Sequence, residues 1–308
     1  MTNAELPWIS GDEVSARVSI DVAIRTVQAH LKAGHTPVND LKRSIYDVEN
    51  GQLLVMPSRS SNFVGIKLVS VAPRNPALAR ERIQGVYVLM DAATLSPIAL
   101  IDGAALTALR TPAVSAAAAD YLAPGTVDHL LVFGSGPQAW GHIEAMRAIR
   151  NVSRVTIVAR NQRRANEIVA RVQAEGLSAR VGNRDDVRNA QMIICATTSR
   201  TPLFNGSLAP TDSLTVAIGS HEADARELDS ALAVRAQIVV EDAEAALREA
   251  GDVIIPITEG LIDSTSLVPM HEIITGATPV DHSRPRVFKS TGMSWEDLLI
   301  AVELCRVG

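Results

Sequence analysis

Aromatic residues are scarce, at 3% of 308, and cysteine occurs only twice, at Cys195 and Cys305. Two distant cysteines build neither a disulfide framework nor a thiolate metal site, so a reducing interior is the expected setting. The seven histidines show no metal-ligand spacing, and His30 with His35 reads as surface at a helix end, so no metal is expected. Positive charge is not in excess: the formal net charge is −5, which argues against nucleic acid or an anionic membrane as the main partner. No run reaches the roughly 18 apolar residues that a membrane span requires. The segment Met1 to Ser10 lacks a cationic stretch followed by an apolar one, so no secretory signal is expected and a cytoplasmic location is. There is no Gly-x-Ser-x-Gly elbow, and no glycine loop ends in Gly-Lys-Ser/Thr, which sets aside α/β-hydrolase and P-loop chemistry.

What the chain does have is one strongly patterned segment. Leu130-Leu-Val-Phe-Gly-Ser-Gly-Pro-Gln-Ala-Trp-Gly141 reads as a buried strand, a glycine turn and the start of a helix. Gly134-Ser135-Gly136-Pro137-Gln138-Ala139 fits the G-x-G-x-x-G/A dinucleotide fingerprint, with alanine in third place. In that pattern Gly134 permits the tight turn and Gly136 lets a pyrophosphate approach. Ala139 lets the helix pack on its strand, and the helix N-terminus offers N–H groups to phosphate. The motif alone is weak evidence. A second apolar run, Arg154 to Ala159, completes a βαβ unit around it and strengthens the reading.

Along the chain, Ser10-Gly-Asp-Glu13 predicts a capping box, and Ser19 a second helix start with Ile20, Ile24, Val27 and Leu31 on one face and Gly34 as its stop. Strands are predicted at 44–48, 52–56, 63–71, 85–91 and 98–101, close enough for an antiparallel or mixed sheet. Thr111-Pro112 reads as an N-cap followed by proline at the first helical position, opening an alanine-rich helix to about Ala123. From there strands (129–134, 154–159, 177–181, 191–196, 214–219, 236–241) alternate with helices (137–150, 161–175), the pattern of a doubly wound parallel sheet. The segment from Arg286 to Val307 predicts a strand, a turn and an amphipathic helix that return to the first domain. The expected fold is therefore α/β: a Rossmann domain over 112–284, and a smaller α+β domain built from both ends, 1–111 with 285–308.

An NAD-type acidic residue is missing about twenty positions past the first glycine, where the chain reads Val158-Ala159-Arg160-Asn161. Arg160 stands where a 2′-phosphate would sit, so NADP(H) is expected, with NAD(H) as the alternative. The loops after two further strands, Cys195-Ala-Thr197-Thr198-Ser199 and Ala217-Ile218-Gly-Ser220, complete the expected cofactor contacts. Cys195 reads as a small core residue, because no basic partner is recognisable for a nucleophile. In the first domain three basic residues stand out as candidates to orient an anionic substrate: Arg43, Lys67 in the middle of an apolar strand, and Arg110. Each by itself is more often a surface charge.

The stretches Ala105-Leu-Thr-Ala-Leu-Arg110-Thr-Pro-Ala-Val-Ser-Ala-Ala-Ala118, Gly134 to Gln138, Cys195 to Ser199 and Val287-Phe-Lys-Ser-Thr-Gly292 resemble the ornithine cyclodeaminase/mu-crystallin family nearly end to end. The resemblance implies a homodimer with a Rossmann domain between the two halves of a substrate and dimerisation domain. It implies that Arg43, Lys67 and Arg110 grip a substrate carboxylate and that Met56 lines the pocket. Thr111, Ser135, Pro137, Gln138, Arg160 and Thr198 would hold the cofactor, and Ser290-Thr291-Gly292 would approach the nicotinamide. Two departures bear on the reaction. Cyclodeaminases resemble one another in a Glu two residues before the Met-Pro pair, which here is Leu54, and in a catalytic Asp, which here is His221. Losing both carboxylates removes the counter-charges a diamino acid would want, whereas a histidine suits proton delivery to a nascent amine.

The expected activity is NADPH-dependent reduction of a cyclic ketimine carboxylate, Δ1-pyrroline-2-carboxylate or Δ1-piperideine-2-carboxylate, to L-proline or L-pipecolate. Lys67 or His221 would keep the imine nitrogen protonated, and Arg110 would hold the carboxylate. The alternatives are an ornithine or lysine cyclodeaminase, an alanine dehydrogenase-like enzyme, and a non-catalytic mu-crystallin-like protein that binds NADPH and a small ligand.

Overall fold

The structure, a computed structural model, describes residues 5–36 and 40–306; residue 307, the expected end of the terminal helix, lies outside them. The chain divides into two units, one of Met1–Val27, Pro37–Thr111 and Met293–Gly308, the other of Gln28–Thr36 and Pro112–Gly292. Each has its own sheet.

In the first unit, β1 (Trp8–Ile9) leads into α1 (Gly11–Arg17) through the expected capping box. The Ser10 hydroxyl accepts from Glu13 N at 3.4 Å, and the Glu13 carboxylate accepts from Ser10 N at 2.9 Å. Helix α2 (Ile20–Lys32) buries Ile24, Val27 and Leu31, the i, i+3, i+7 stripe the sequence carries. Strands β2 (Ser44–Val48), β3 (Gly51–Arg59), β4 (Phe63–Val71), β5 (Ile83–Asp91) and β6 (Pro97–Asp102) form an antiparallel meander, with β1 added parallel to β6. Register sets Met56, Lys67, Tyr87 and Ile101 in one row across β3 to β6, sharing one face of the sheet. All four are buried. The terminal helix, Ser294–Arg306, packs across β3, β4 and β5. It is not the amphipathic helix expected. Ser294 to Leu298, Ile300 to Val302 and Leu304 are all buried, so it is enclosed on most sides.

The helix expected to start at Thr111 starts eight residues earlier: α3 is Gly103–Leu122 and carries Pro112 inside it. Its cap is Asp102, whose Oδ1 accepts from Ala104 N at 2.9 Å and Ala105 N at 3.0 Å. A helix-interior proline removes one N–H and crowds the carbonyl four residues back. Burial outweighs that penalty here, because Leu106, Ala113, Val114 and Ala116 to Ala119 are all in the core.

The second unit holds an eight-stranded, wholly parallel sheet. Its elements are β7 (Val127–Phe133), α4 (Pro137–Ile149), β8 (Val152–Val158), α5 (Gln162–Ala174), β9 (Ser178–Val181), β10 (Met192–Cys195), β11 (Leu214–Ala217), α6 (Ser230–Arg235), β12 (Gln237–Val240), α7 (Ala243–Glu249), α8 (Gly251–Thr258), β13 (Val268–Pro269), α9 (Met270–Thr275) and β14 (Arg286–Lys289). The order is β13-β12-β14-β11-β10-β7-β8-β9. Strand β14, expected with the first unit, is inserted between β11 and β12. Its four residues, Arg-Val-Phe-Lys, are all buried, as a strand in the middle of a parallel sheet must be. The order reverses between β7 and β10, so the ligand crevice rule for open α/β sheets points to the loops at the C-terminal ends of these strands.

Candidate functional site

In the first unit the row Met56–Lys67–Tyr87 carries one cation into an otherwise apolar face. Lys67 is 1% exposed, and its Nζ lies 2.8 Å from Asp297 Oδ1, 2.7 Å from Asp297 Oδ2 and 3.2 Å from Thr107 Oγ1. Arg110, from α3, donates Nη1–H to Glu296 Oε2 at 2.6 Å and Nε–H to Asp297 Oδ1 at 3.2 Å. Lys67 and Arg110, 43 positions apart in the sequence, therefore meet at the first turn of the terminal helix. Neither is the surface charge that its residue type by itself suggests. Burial pushes the Lys67 ammonium down to about 8, opposed by the Asp297 charge and reinforced by Arg110. An amine near that value gives up a proton far more readily than an exposed lysine. Leu54 is buried on the same face as Met56, with Val69 opposite it. Arg43 is half-buried and immediately precedes β2, whose first residue, Ser44, pairs with Val55.

In the second unit the glycine loop has the geometry its residues imply. Gly134 has φ +126°, and a Cβ there would sit 2.3 Å from the Ala196 carbonyl oxygen, so only glycine fits. Gly136 is different: it caps α4 at φ −95°, which any residue adopts, and a Cβ there would meet nothing within 4 Å. Nothing in the chain itself requires that glycine, whereas a group docked on the N-terminus of α4 would. Pro137 stands at the first helical position, and Ser135 and Gln138 flank it half-buried. Ala139 is fully buried against the sheet. This cradle fits a dinucleotide pyrophosphate.

At the end of β8 no acid is present, and Arg160 is exposed. Asn161 Oδ1 accepts from Arg164 N at 3.1 Å and caps α5. Thr197 also spends its hydroxyl inside the protein, on Glu227, while Thr198 is exposed and Ile218 half-buried. Ser290 donates its hydroxyl to Glu241 Oε1, and the N–H groups of Thr291 and Gly292 donate to Glu241 Oε2 at 2.9 Å each. The turn after β14 is thus shaped by a buried carboxylate. Thr111 is buried within α3 instead of capping it, and His221 is half-buried in the loop after β11. Cys195 is buried, its thiol pushed well above the ordinary range by burial, in keeping with a core role. Among the described residues no group of three or more His, Cys, Asp or Glu could hold a metal, and no helix is long and apolar enough to cross a membrane.

Four carboxylates that organise these clusters were not singled out from the sequence: Asp297, Glu296, Glu227 and Glu241. Acids in a helix's first turn ordinarily face solvent and complement its dipole, so position alone does not mark Glu296 and Asp297. The signal that could have found them is their place beside Trp295 and Leu298 in a helix with too few polar positions for an exposed face.

The sequence matches the model of the ornithine cyclodeaminase/mu-crystallin family over residues 10–304. It is 32% identical over 305 residues to a Delta(1)-pyrroline-2-carboxylate reductase of Bacillus cereus, covering 95% of this chain and 94% of that one. It is 33% identical over 255 residues to the ketimine reductase mu-crystallin of Mus musculus, covering 82% and 79%. Among solved structures, Thermococcus litoralis Delta(1)-pyrroline-2-carboxylate reductase in complex with NADH and L-proline superposes with a TM-score of 0.93 at 28% identity, over 98% of this chain and 97% of that one.

Proposed function

The chain belongs to the ornithine cyclodeaminase/mu-crystallin family, and we propose that within it this protein is an NADPH-dependent reductase of cyclic ketimine carboxylates, with Δ1-pyrroline-2-carboxylate as the first substrate to test. The observation that carries the reading is the meeting of Lys67 and Arg110 on a face where position 54 is a buried leucine. Two cations suit a carboxylate, and an apolar neighbour suits a ring without a second ammonium group. The relatives that bear reductase names, at 32% and 33% identity, support the same reaction class. The complex of the Thermococcus litoralis enzyme with NADH and L-proline supports a nicotinamide cofactor and an imino-acid product.

Gly134, Gly136 and the N-terminus of α4 would hold the pyrophosphate, with Ser135, Pro137, Gln138, Thr111, Thr198, Ile218 and Thr291 as further contacts. Arg160 would take the 2′-phosphate of NADP(H) through its guanidinium. Asn161, Thr197 and Ser290 serve by shaping these loops, since their side chains are bonded within the protein. A reduced nicotinamide, when bound, supplies the hydride equivalent that the imine carbon accepts. The chain's own residues do the rest. Arg43 and Arg110 orient the carboxylate, and Met56 bounds the ring. Lys67, with Asp297 and Thr107 holding its Nζ, carries a third proton that can be shared with the substrate. Reduction adds one hydride to carbon and needs the nitrogen protonated, so C=N becomes CH–NH. Lys67, or His221 through water, would supply and replace that proton. A homodimer in the cytoplasm is the assembly and location that go with this reading. The test is loss of NADPH absorbance on adding Δ1-pyrroline-2-carboxylate or Δ1-piperideine-2-carboxylate, with L-proline or L-pipecolate as product. No turnover of either would refute it.

A further inference from the structure

Beneath the cofactor-facing loops of the second unit lies a buried polar network that neither the fingerprint nor the carboxylate-binding cluster explains. Its centre is Glu227, fully buried in the segment between β11 and α6. One carboxylate oxygen, Oε1, accepts from Thr197 N at 2.9 Å and from Thr197 Oγ1 at 2.6 Å, in the loop after β10. The other, Oε2, accepts from Gly219 N at 2.7 Å, in the loop after β11. Thr197 Oγ1 in turn accepts from Ser199 N at 3.1 Å, so the same contact shapes the turn that carries Thr198. Glu227 is itself held: its N–H and that of Leu228 donate to Asp252 Oδ1 at 2.7 and 2.8 Å. Lys289 Nζ lies 2.9 Å from Asp252 Oδ2 and donates to the Ser220 carbonyl at 2.7 Å. A Cβ at position 219 would fall 2.1 Å from the Thr197 carbonyl and 2.5 Å from Glu227 Oε1, so the two loops meet with no room for a side chain.

We propose that Glu227 is a positioning residue for the dinucleotide, its carboxylate clamping the loops after β10 and β11 in the arrangement that receives the cofactor. This rests on the dinucleotide reading given above. Apart from Ile218, both loops, Ala-Thr-Thr-Ser and Ile-Gly-Ser, are built of small residues and have little apolar surface to anchor them. A charged acceptor shared by three donors anchors them instead. Burial pushes the Glu227 carboxyl up, opposed by Lys289 and by the Thr197 and Gly219 hydrogen bonds, so the three donors offset part of the cost of burying it. A glutamine of the same shape would turn an amide N–H₂ toward either Thr197 or Gly219, donor against donor.

The experiment is fluorescence titration of the full-length wild type and of Glu227→Gln with NADPH and with NADH, in the absence of substrate. The inference expects Kd for the dinucleotide to rise roughly 10- to 100-fold in E227Q. KM for the imine acid at saturating NADPH should stay within about twofold, a split that mere loss of stability would not produce. Asp252→Asn, which keeps the acceptor for Glu227 N but loses the Lys289 charge pair, should weaken dinucleotide binding less and decides the matter if E227Q does not fold. Wild-type affinity in a folded E227Q, or in D252N when only that variant folds, overturns the inference even if thermal stability falls. Failure of the wild type to bind either dinucleotide would overturn the cofactor reading itself.

Discussion

Replacing Lys67 by methionine tests the buried charge cluster of the first unit. At the 2.7 to 2.8 Å separation of the Lys67–Asp297 pair, an effective dielectric of about 20 gives a gross attraction of roughly 6 kcal/mol. Yet the ammonium is pushed down to about 8 from 10.5, so at neutral pH its surroundings as a whole disfavour the charge by about 3 kcal/mol. Methionine removes that burden but leaves Asp297 buried without the Lys67 ammonium, facing the Arg110 Nε–H at 3.2 Å. Breaking one side of a buried pair typically costs ~3–5 kcal/mol, and removing both sides is far closer to neutral. Lys67→Met should therefore lower the urea unfolding free energy by about 3 kcal/mol at pH 7, and Lys67→Met/Asp297→Asn should recover most of it. The sign with pH follows from the same shift. The unfolded lysine binds a proton between about 8 and 10.5 that the folded one has lost, so this group's contribution to stability rises as pH climbs through that window. Below about 8 its burden is constant. The wild type should accordingly gain about 2 kcal/mol relative to K67M between pH 7.5 and 10. A double variant as unstable as the single, or a wild-type minus K67M difference that is flat with pH, would refute the coupling.

Further outcomes follow from other positions. Gly136→Val should leave the melting temperature within about 2 °C of wild type, because a Cβ there meets no atom within 4 Å, yet should abolish or strongly weaken NADPH binding in a fluorescence titration. Arg160→Asp should lower kcat/KM for NADPH roughly 10- to 100-fold and leave or raise that for NADH, measured by steady-state kinetics with each dinucleotide. The Tyr87 hydroxyl is buried with no hydrogen-bond partner among the described residues, so Tyr87→Phe should be neutral or stabilise by up to about 1 kcal/mol in urea unfolding. A clear destabilisation by Y87F would mean that the hydroxyl has a partner after all.

Much of this architecture is legible in the residues because local physics and tertiary context agree. The Ser10–Glu13 box, the Phe63–Val71 strand and the turn from β7 to α4 each fold as their patterns require. The sequence misleads where tertiary packing overrides a local signal. Thr111-Pro112 has the chemistry of a helix start, but the apolar alanine run around it gains more by continuing as one buried helix from Asp102. Arg286–Lys289 lies close in sequence to the terminal helix, yet its all-buried residues fit the centre of the parallel sheet. At the site, the cations were visible and their partners were not. A lysine in an apolar strand is conspicuous, whereas Glu296 and Asp297 at a helix start look ordinary until the helix is seen to be enclosed. Glu227 and Glu241 act on loops 8 to 51 positions away, a separation at which spacing carries no signal.

The central claim is that the protein reduces a cyclic C=N bond with a nicotinamide dinucleotide, with Lys67 and Arg110 as the proposed ligands of the substrate carboxylate. The most direct measurement mixes the purified protein with NADPH and Δ1-pyrroline-2-carboxylate, follows NADPH absorbance and identifies the product. In parallel, L-ornithine is supplied with NAD+ and ammonia release is assayed. The account predicts stoichiometric loss of NADPH with formation of L-proline, and no ammonia from ornithine. Ammonia release from ornithine without imine reduction, or dinucleotide binding with no turnover of any cyclic ketimine acid, would contradict it.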